Sequence, residues 1–81
     1  MRYSLDYRRE AQTALKAMSP DVARRVTRKI ERMCGELAGD VKRLTDFSPA
    51  YRLRVGDWRV LFDVEGDIIV VHDVKHRSKA Y

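Results

Sequence analysis

Two glycine turns in the last third of the chain constrain its fold more than any other feature. Residues 51–81 read YRLRVGDWRVLFDVEGDIIVVHDVKHRSKAY. Val55-Gly56-Asp57-Trp58 and Val64-Glu65-Gly66-Asp67 each contain a glycine, which adopts positive φ without steric cost and suits a short hairpin loop. The segments around them are rich in Val, Ile, Leu, Phe and Trp, residues that fit a pleated surface. The stretch is therefore expected to form three strands and two tight turns, ending in a polar tail.

Alternation then sorts the side chains, because a strand repeats every two residues. Leu53 and Val55 point one way, with Trp58, Val60, Phe62 and Val64; Arg52 and Arg54 point the other way, with Arg59, Leu61 and Asp63. A two-residue Gly56-Asp57 loop places Val55 opposite Trp58 and Arg54 opposite Arg59. Arg52, Arg54 and Arg59 then share a face, where like charges opposite one another cost stability. A polyanion laid on that face would repay the cost; a solvated face whose Asp residues soften the repulsion is equally compatible with the pattern. By the same parity His72 and His76 are expected on the arginine face, and His72 reads most simply as a half-buried strand residue.

Composition narrows the classes. With 81 residues, one domain spanning 1–81 is expected, with a small core. Apolar residues make up 44% and charged residues 36%, too apolar for a disordered chain and too charged for a membrane protein. No secretory signal is expected, because no apolar stretch follows Arg2. Cys34 is the single cysteine, so no internal disulfide can form and a cytoplasmic location is expected. The net charge of +5 favours a nucleic acid or an acidic protein as partner. Eleven of the 17 basic residues fall in 1–50 and six in 51–81, so there is no discrete basic tail.

Before the turns, Tyr3, Leu5 and Tyr7 alternate as in a short strand. Asp6 is a candidate cap for a first helix over about 7–18, with Ala11, Ala14, Leu15 and Met18 at helical spacing. Ser19-Pro20-Asp21 restarts a helix over about 20–38: a capping hydroxyl, a proline at the first position and an acid at the positive end of the dipole. Val22, Val26, Ile30, Met33 and Leu37 form its apolar stripe, bordered by Cys34, and Gly39 stands at the expected C-cap. Arg24, Arg25, Arg28, Lys29 and Arg32 lie off the stripe, as a solvated face or as a ridge that tracks phosphates. Residues 40–50 read as a connector, with Leu44 and Phe47 docking on the core and Ser48-Pro49 breaking regular structure. The expected order is β-α-α-β-β-β, an α+β fold with a helical hairpin on a mainly antiparallel four-stranded sheet. Leu53, Val55, Trp58, Val60, Phe62, Val64, Ile69 and Val71 should face the helices.

No metal site is expected: Cys34 has no partner cysteine, and alternation sends His72 and Asp73 to opposite faces. No phosphate loop and no nucleophile elbow is present. What remains is the arginine face, continued by Lys75-His76-Arg77 and by Tyr81. Guanidinium groups clamp phosphate oxygens and stabilise charge that builds up in a transition state, His or Tyr can pass protons, and Tyr can stack on a base.

YRLRVGDWRVLF and DIIVVHDVKHRSKAY resemble the C-terminal half of the RelE toxins of the bacterial RelE/ParE toxin–antitoxin superfamily, and the order and length of the elements agree over the whole chain. The resemblance implies a ribosome-dependent, metal-independent endoribonuclease that uses no cofactor. It cuts A-site codons of mRNA by attack of the 2′-hydroxyl on the adjacent phosphorus. Carried over by position, Arg52 and Arg54 match two basic strand residues of the family, Arg59 its phosphate-binding arginine, Arg77 the proposed general acid and Tyr81 the base-stacking tyrosine. The implied catalytic set is Arg54, Arg59, Arg77 and Tyr81, and the implied RNA-binding set Arg52, Arg54, Lys75 and His76. Arginine replaces the usual lysine at 52 and 54, and arginine is a clamp and a poor base. The tail between Arg77 and Tyr81 is shorter than in well-known members, which makes His76 a substitute proton carrier. The implied partners are a cognate antitoxin, the ribosome with mRNA, and operator DNA through the antitoxin complex, with no membrane. A ParE-like toxin that binds DNA gyrase without chemistry of its own is the alternative, and a catalytically silent binding module is a third.

Overall fold

The computed structural model describes residues 2–36, 41–44 and 48–79. Along the chain run β1 (Ser4–Tyr7), α1 (Arg9–Ala17), α2 (Pro20–Glu36), β2 (Val41–Arg43), β3 (Tyr51–Val55), β4 (Trp58–Glu65) and β5 (Ile68–His76). The strands form one sheet in the order β1-β5-β4-β3-β2. Only β1 runs parallel to its neighbour, β5; the other three pairings are antiparallel.

Both glycine turns form as two-residue loops. Val55 pairs with Trp58 and Glu65 with Ile68, and Gly56 and Gly66 take φ of 58° and 64°. This region of backbone space is cheap for glycine alone.

One side of the sheet carries the core. Leu53, Val55, Val60, Phe62, Ile69, Val71 and Val74 pack there against Ala11 of α1 and Val26, Ile30, Met33 and Cys34 of α2, with Trp58 and Val64 partly buried at its margin. Each Val, Leu, Ile, Phe or Met side chain removed from water there contributes about 1.5–3 kcal/mol. All eight strand residues expected to face the helices do so.

Several expectations need correction. The sheet has five strands, because Val41–Arg43 pairs with Tyr51–Leu53 where a connector was expected. The first helix begins two residues later than its spacing suggested. Tyr7 belongs to β1 and pairs with Val71, Asp6 pairs with Val70, and the residue that enters the helix is Arg8, which makes no side-chain cap. The Gln12 amide instead donates to the Tyr7 carbonyl at 2.9 Å. Tertiary pairing thus overrides a local capping preference. The expected Gly39 cap, Leu37 and Phe47 lie outside the described residues.

The largest departure is in β5. Phe62 pairs with Val71 and Leu61 with Asp73, so His72 is the extra residue of a β-bulge. Val71 and Val74 both reach the core, so His72 and Asp73 both project from the opposite face. Beyond the bulge the parity is inverted: Val74 and His76 turn inward, and Lys75 turns outward.

Candidate functional site

The face away from the helices is built by register. Arg54 of β3 stands opposite Arg59 of β4, and Arg59 stands opposite Lys75 of β5. Three cations therefore form a row across three adjacent strands. In the next row Lys42 of β2 pairs with Arg52, Arg52 with Leu61, and Leu61 with Asp73. Lys42 is a basic neighbour that sequence reasoning missed, since Val-Lys-Arg is too short to show a strand period.

The members of this face differ in setting. Arg54 is exposed and Arg59 half-buried, whereas Arg52 is only 8% exposed despite pointing away from the main core. Arg59 is held by backbone carbonyls. Its Nη1 donates to the carbonyl of Gly56 at 2.9 Å and to that of Trp58 at 3.2 Å, so the guanidinium is tied to the β3–β4 turn. A donor fixed this way needs little reorganisation when charge develops beside it.

Arg77 joins the same turn from the end of β5. Its backbone N–H donates to the Asp57 carbonyl at 2.7 Å, and its Nε lies 3.7 Å from Asp57 Oδ1. Both side chains are about two-thirds exposed, so the ion pair is a loose, screened contact and the backbone bond does the placing. The turn thus brings Arg77 close to Arg59 although eighteen positions separate them in sequence.

Acidic groups temper the field. Lys75 Nζ is 4.0 Å from Asp73 Oδ2. His72 Nε2 is 3.2 Å from Asp63 Oδ2, and Asp63 Oδ1 accepts the Ala50 N–H at 2.7 Å. That carboxylate therefore anchors the entry to β3 and lies beside His72, whose buried Nε2 makes no hydrogen bond with it, as fits a half-buried strand residue.

His76 is not on the arginine face. The bulge turns it to the helix side, where its ring meets Trp58 edge-on, with centroids 5.3 Å apart, and its Nδ1 lies 3.0 Å from the Ser78 hydroxyl. There it lines an apolar groove with Ala14, Ala17, Met18, Trp58 and Val74, with Lys75 and Lys79 at the rim. Arg52, Arg54, Arg59 and Lys75 are therefore brought together with Arg77 beside them, and His76 is directed elsewhere. Tyr81 lies outside the described residues. No group of three or more His, Cys, Asp or Glu side chains that could hold a metal ion occurs among the described residues, and no described helix is long and apolar enough to cross a membrane.

Residues 5–81 match the family model for the ParE toxin of type II toxin–antitoxin systems, parDE. Toxin RelE3 of Methanocaldococcus jannaschii is 37% identical over 46 residues, 57% of this chain; the chain covers 52% of that protein, about half its length. Among solved structures, the RelB–RelE antitoxin–toxin complex of Methanococcus jannaschii superposes with a TM-score of 0.74 at 26% identity, over 90% of this chain and 91% of the other. The RelE–RelB complex of Pyrococcus horikoshii, at 24% identity, shares the fold with a TM-score of 0.79 over 99% of this chain and 100% of its own. With a match that spans nearly its full length, the chain belongs to the ParE toxin family of type II toxin–antitoxin systems, and its fold is that of the RelE toxins.

Proposed function

We propose that this toxin is a ribosome-dependent endoribonuclease that cuts mRNA codons in the A site. The observation that carries this is the cationic row Arg54–Arg59–Lys75, with Arg77 brought alongside by the Gly56-Asp57 turn. Like charges aligned across a sheet are costly unless an anion meets them, and a phosphodiester is the anion that guanidinium groups clamp best.

In this scheme the 2′ oxygen bonds to phosphorus, the P–O5′ bond breaks, and a cyclic phosphate and a free 5′-hydroxyl remain. Arg59, immobilised on the turn, stabilises the charged phosphorane. Arg54 clamps a non-bridging oxygen. Arg77 supplies the proton of the leaving 5′ oxygen, a transfer that runs downhill because an alkoxide is more basic than a neutral guanidine. Tyr81 stacks on the base and passes the 2′ proton on to solvent, from which Arg77 regains the proton it gave up. None of the arginines is a serviceable base, so the ribosome contributes by orienting the RNA, an effect that can be worth about 7–11 kcal/mol of barrier.

A cognate antitoxin would hold this activity in check in the cytoplasm, and operator DNA would be met only through that complex. The apolar groove of Ala14, Ala17, Met18, Trp58 and Val74, rimmed by Lys75 and Lys79, suits an acidic amphipathic segment of such a partner.

Mapping of mRNA 5′ ends after brief induction tests the proposal. Cuts inside codons, dependent on translation, are expected; intact mRNA during growth arrest would overturn it. The ParE family match favours a second reading, inhibition of DNA gyrase by binding, which predicts filamentation and DNA damage with mRNA intact.

A further inference from the structure

The row of cations on the sheet does not account for Arg25. In sequence it is one of five basic residues along α2, and helical spacing gives it no distinction from Arg24, Arg28, Lys29 or Arg32. In the structure it differs from them. A methyl group added at Gly56 would stand 3.7 Å from Arg25 Nη2, so this guanidinium reaches across from the helix to the β3–β4 turn. Arg24, by contrast, is spent on an ion pair with Asp21 in its own helix. Arg25 has no acidic partner among the described residues.

The turn it reaches is the one that holds Arg59 and Arg77. Arg59 Nη1 donates to the Gly56 carbonyl, and Arg77 binds Asp57 through its backbone and approaches the Asp57 carboxylate. Guanidinium groups from α2, from β4 and from the segment after β5 thus meet at two residues. Of the three, only Arg77 approaches the carboxylate of the turn; Arg59 is held by backbone carbonyls, and Arg25 lies beside Gly56. Gly56 and Asp57 are exposed, and the contacts that Arg59 and Arg77 make with them are polar. A protein partner would seek an apolar centre here, and the apolar groove lies instead beside Trp58 and α1. A sugar–phosphate backbone needs no such centre.

We propose that Arg25, Arg59 and Arg77 form a phosphate cradle at the Gly56-Asp57 turn, in which Arg25 binds a backbone phosphate next to the one held by the sheet row. The RNA then runs from the sheet face around the turn towards α2, and Arg25 is a binding residue with no part in bond breaking. This deepens the nuclease reading above and rests on it.

The test uses the purified toxin and single-stranded oligouridylate, with binding measured by fluorescence anisotropy over a range of salt. Each phosphate contact on single-stranded nucleic acid adds about 0.7 to the slope of log affinity against log salt. Arg25→Gln should lower the slope by roughly that amount and weaken binding several-fold at low salt. Arg25→Lys should keep most of the slope, and Arg28→Gln, further along α2, should behave as the unaltered toxin. An Arg25→Gln protein with unchanged affinity and slope, or one that loses only affinity for antitoxin, would overturn the cradle. Cleavage on ribosomes is followed separately. If Arg25→Gln changes the slope but the unaltered toxin cuts no mRNA, the cradle stands and the nuclease reading falls. If the toxin cuts mRNA and Arg25→Gln binds normally, the reverse holds.

Discussion

Arg59 and Lys75 stand directly opposite each other across the β4–β5 pair, two like charges at facing positions. Such a pair destabilises a sheet, and an opposite-charge pair in its place contributes roughly 0.2–1 kcal/mol. Lys75→Glu should therefore raise the urea midpoint of the isolated toxin while it weakens binding of RNA. A variant that loses both stability and binding would show that Lys75 serves the fold.

Charge and chemistry separate at Arg59, Arg77 and Arg24. Arg59 is preorganised by two backbone carbonyls, and loss of such a donor costs about 10²–10³ in rate. Arg59→Ala and Arg77→Ala should abolish growth arrest yet still co-sediment with ribosomes, because many basic residues remain. Arg24→Ala should stay toxic, since that side chain is engaged with Asp21. Single-turnover cleavage and ribosome pelleting on the three variants give the answer. Full toxicity of Arg77→Ala would remove its general-acid role.

Tyr7 gives the fold an alkaline limit. Burial, and then the Glu31 carboxylate and Cys34, push its phenol up to about 12, from an ordinary value near 10. The folded chain thus holds this proton more tightly than the unfolded chain. Its contribution is complete below about pH 10 and is lost as pH rises towards 12. Thermal melts across that window should fall more steeply for the native sequence than for Tyr7→Phe. Equal slopes would place the alkaline loss elsewhere.

The groove beside Trp58 should report the antitoxin. Trp58 is the only tryptophan, so binding of a tryptophan-free antitoxin should shift its emission. Met18→Glu puts a carboxylate in the groove and should weaken neutralisation about tenfold or more while toxicity persists. An antitoxin that neutralises Met18→Glu normally binds elsewhere.

Much of this was legible in the sequence because period-2 alternation and glycine turns are strong local signals. The Val55–Trp58 and Arg54–Arg59 pairings follow from Gly56-Asp57 alone, and the stripe of α2 follows from Val26, Ile30 and Met33. The sequence fails where a long-range partner decides. Val41–Arg43 becomes a strand only because Tyr51–Leu53 offers it an edge. Tyr7 leaves the helix because Val71 pairs with it. The bulge at His72 carries no glycine or other mark, yet it moves Val74 into the core and His76 away from the arginines. Arg25 acquires its distinction only when α2 is placed beside the turn, a fact about tertiary distance.

The parallel pairing of β1 with β5 also has a consequence for synthesis. The first strand to leave the ribosome must wait for the last, because its only neighbour in the sheet is Ile68–Val71. Until that segment emerges, β1 has no ladder to join and Arg59 has no Lys75 opposite. A nascent chain is therefore an incomplete toxin until Ile68–Val71 has been made. A freshly made antitoxin would have that interval in which to arrive.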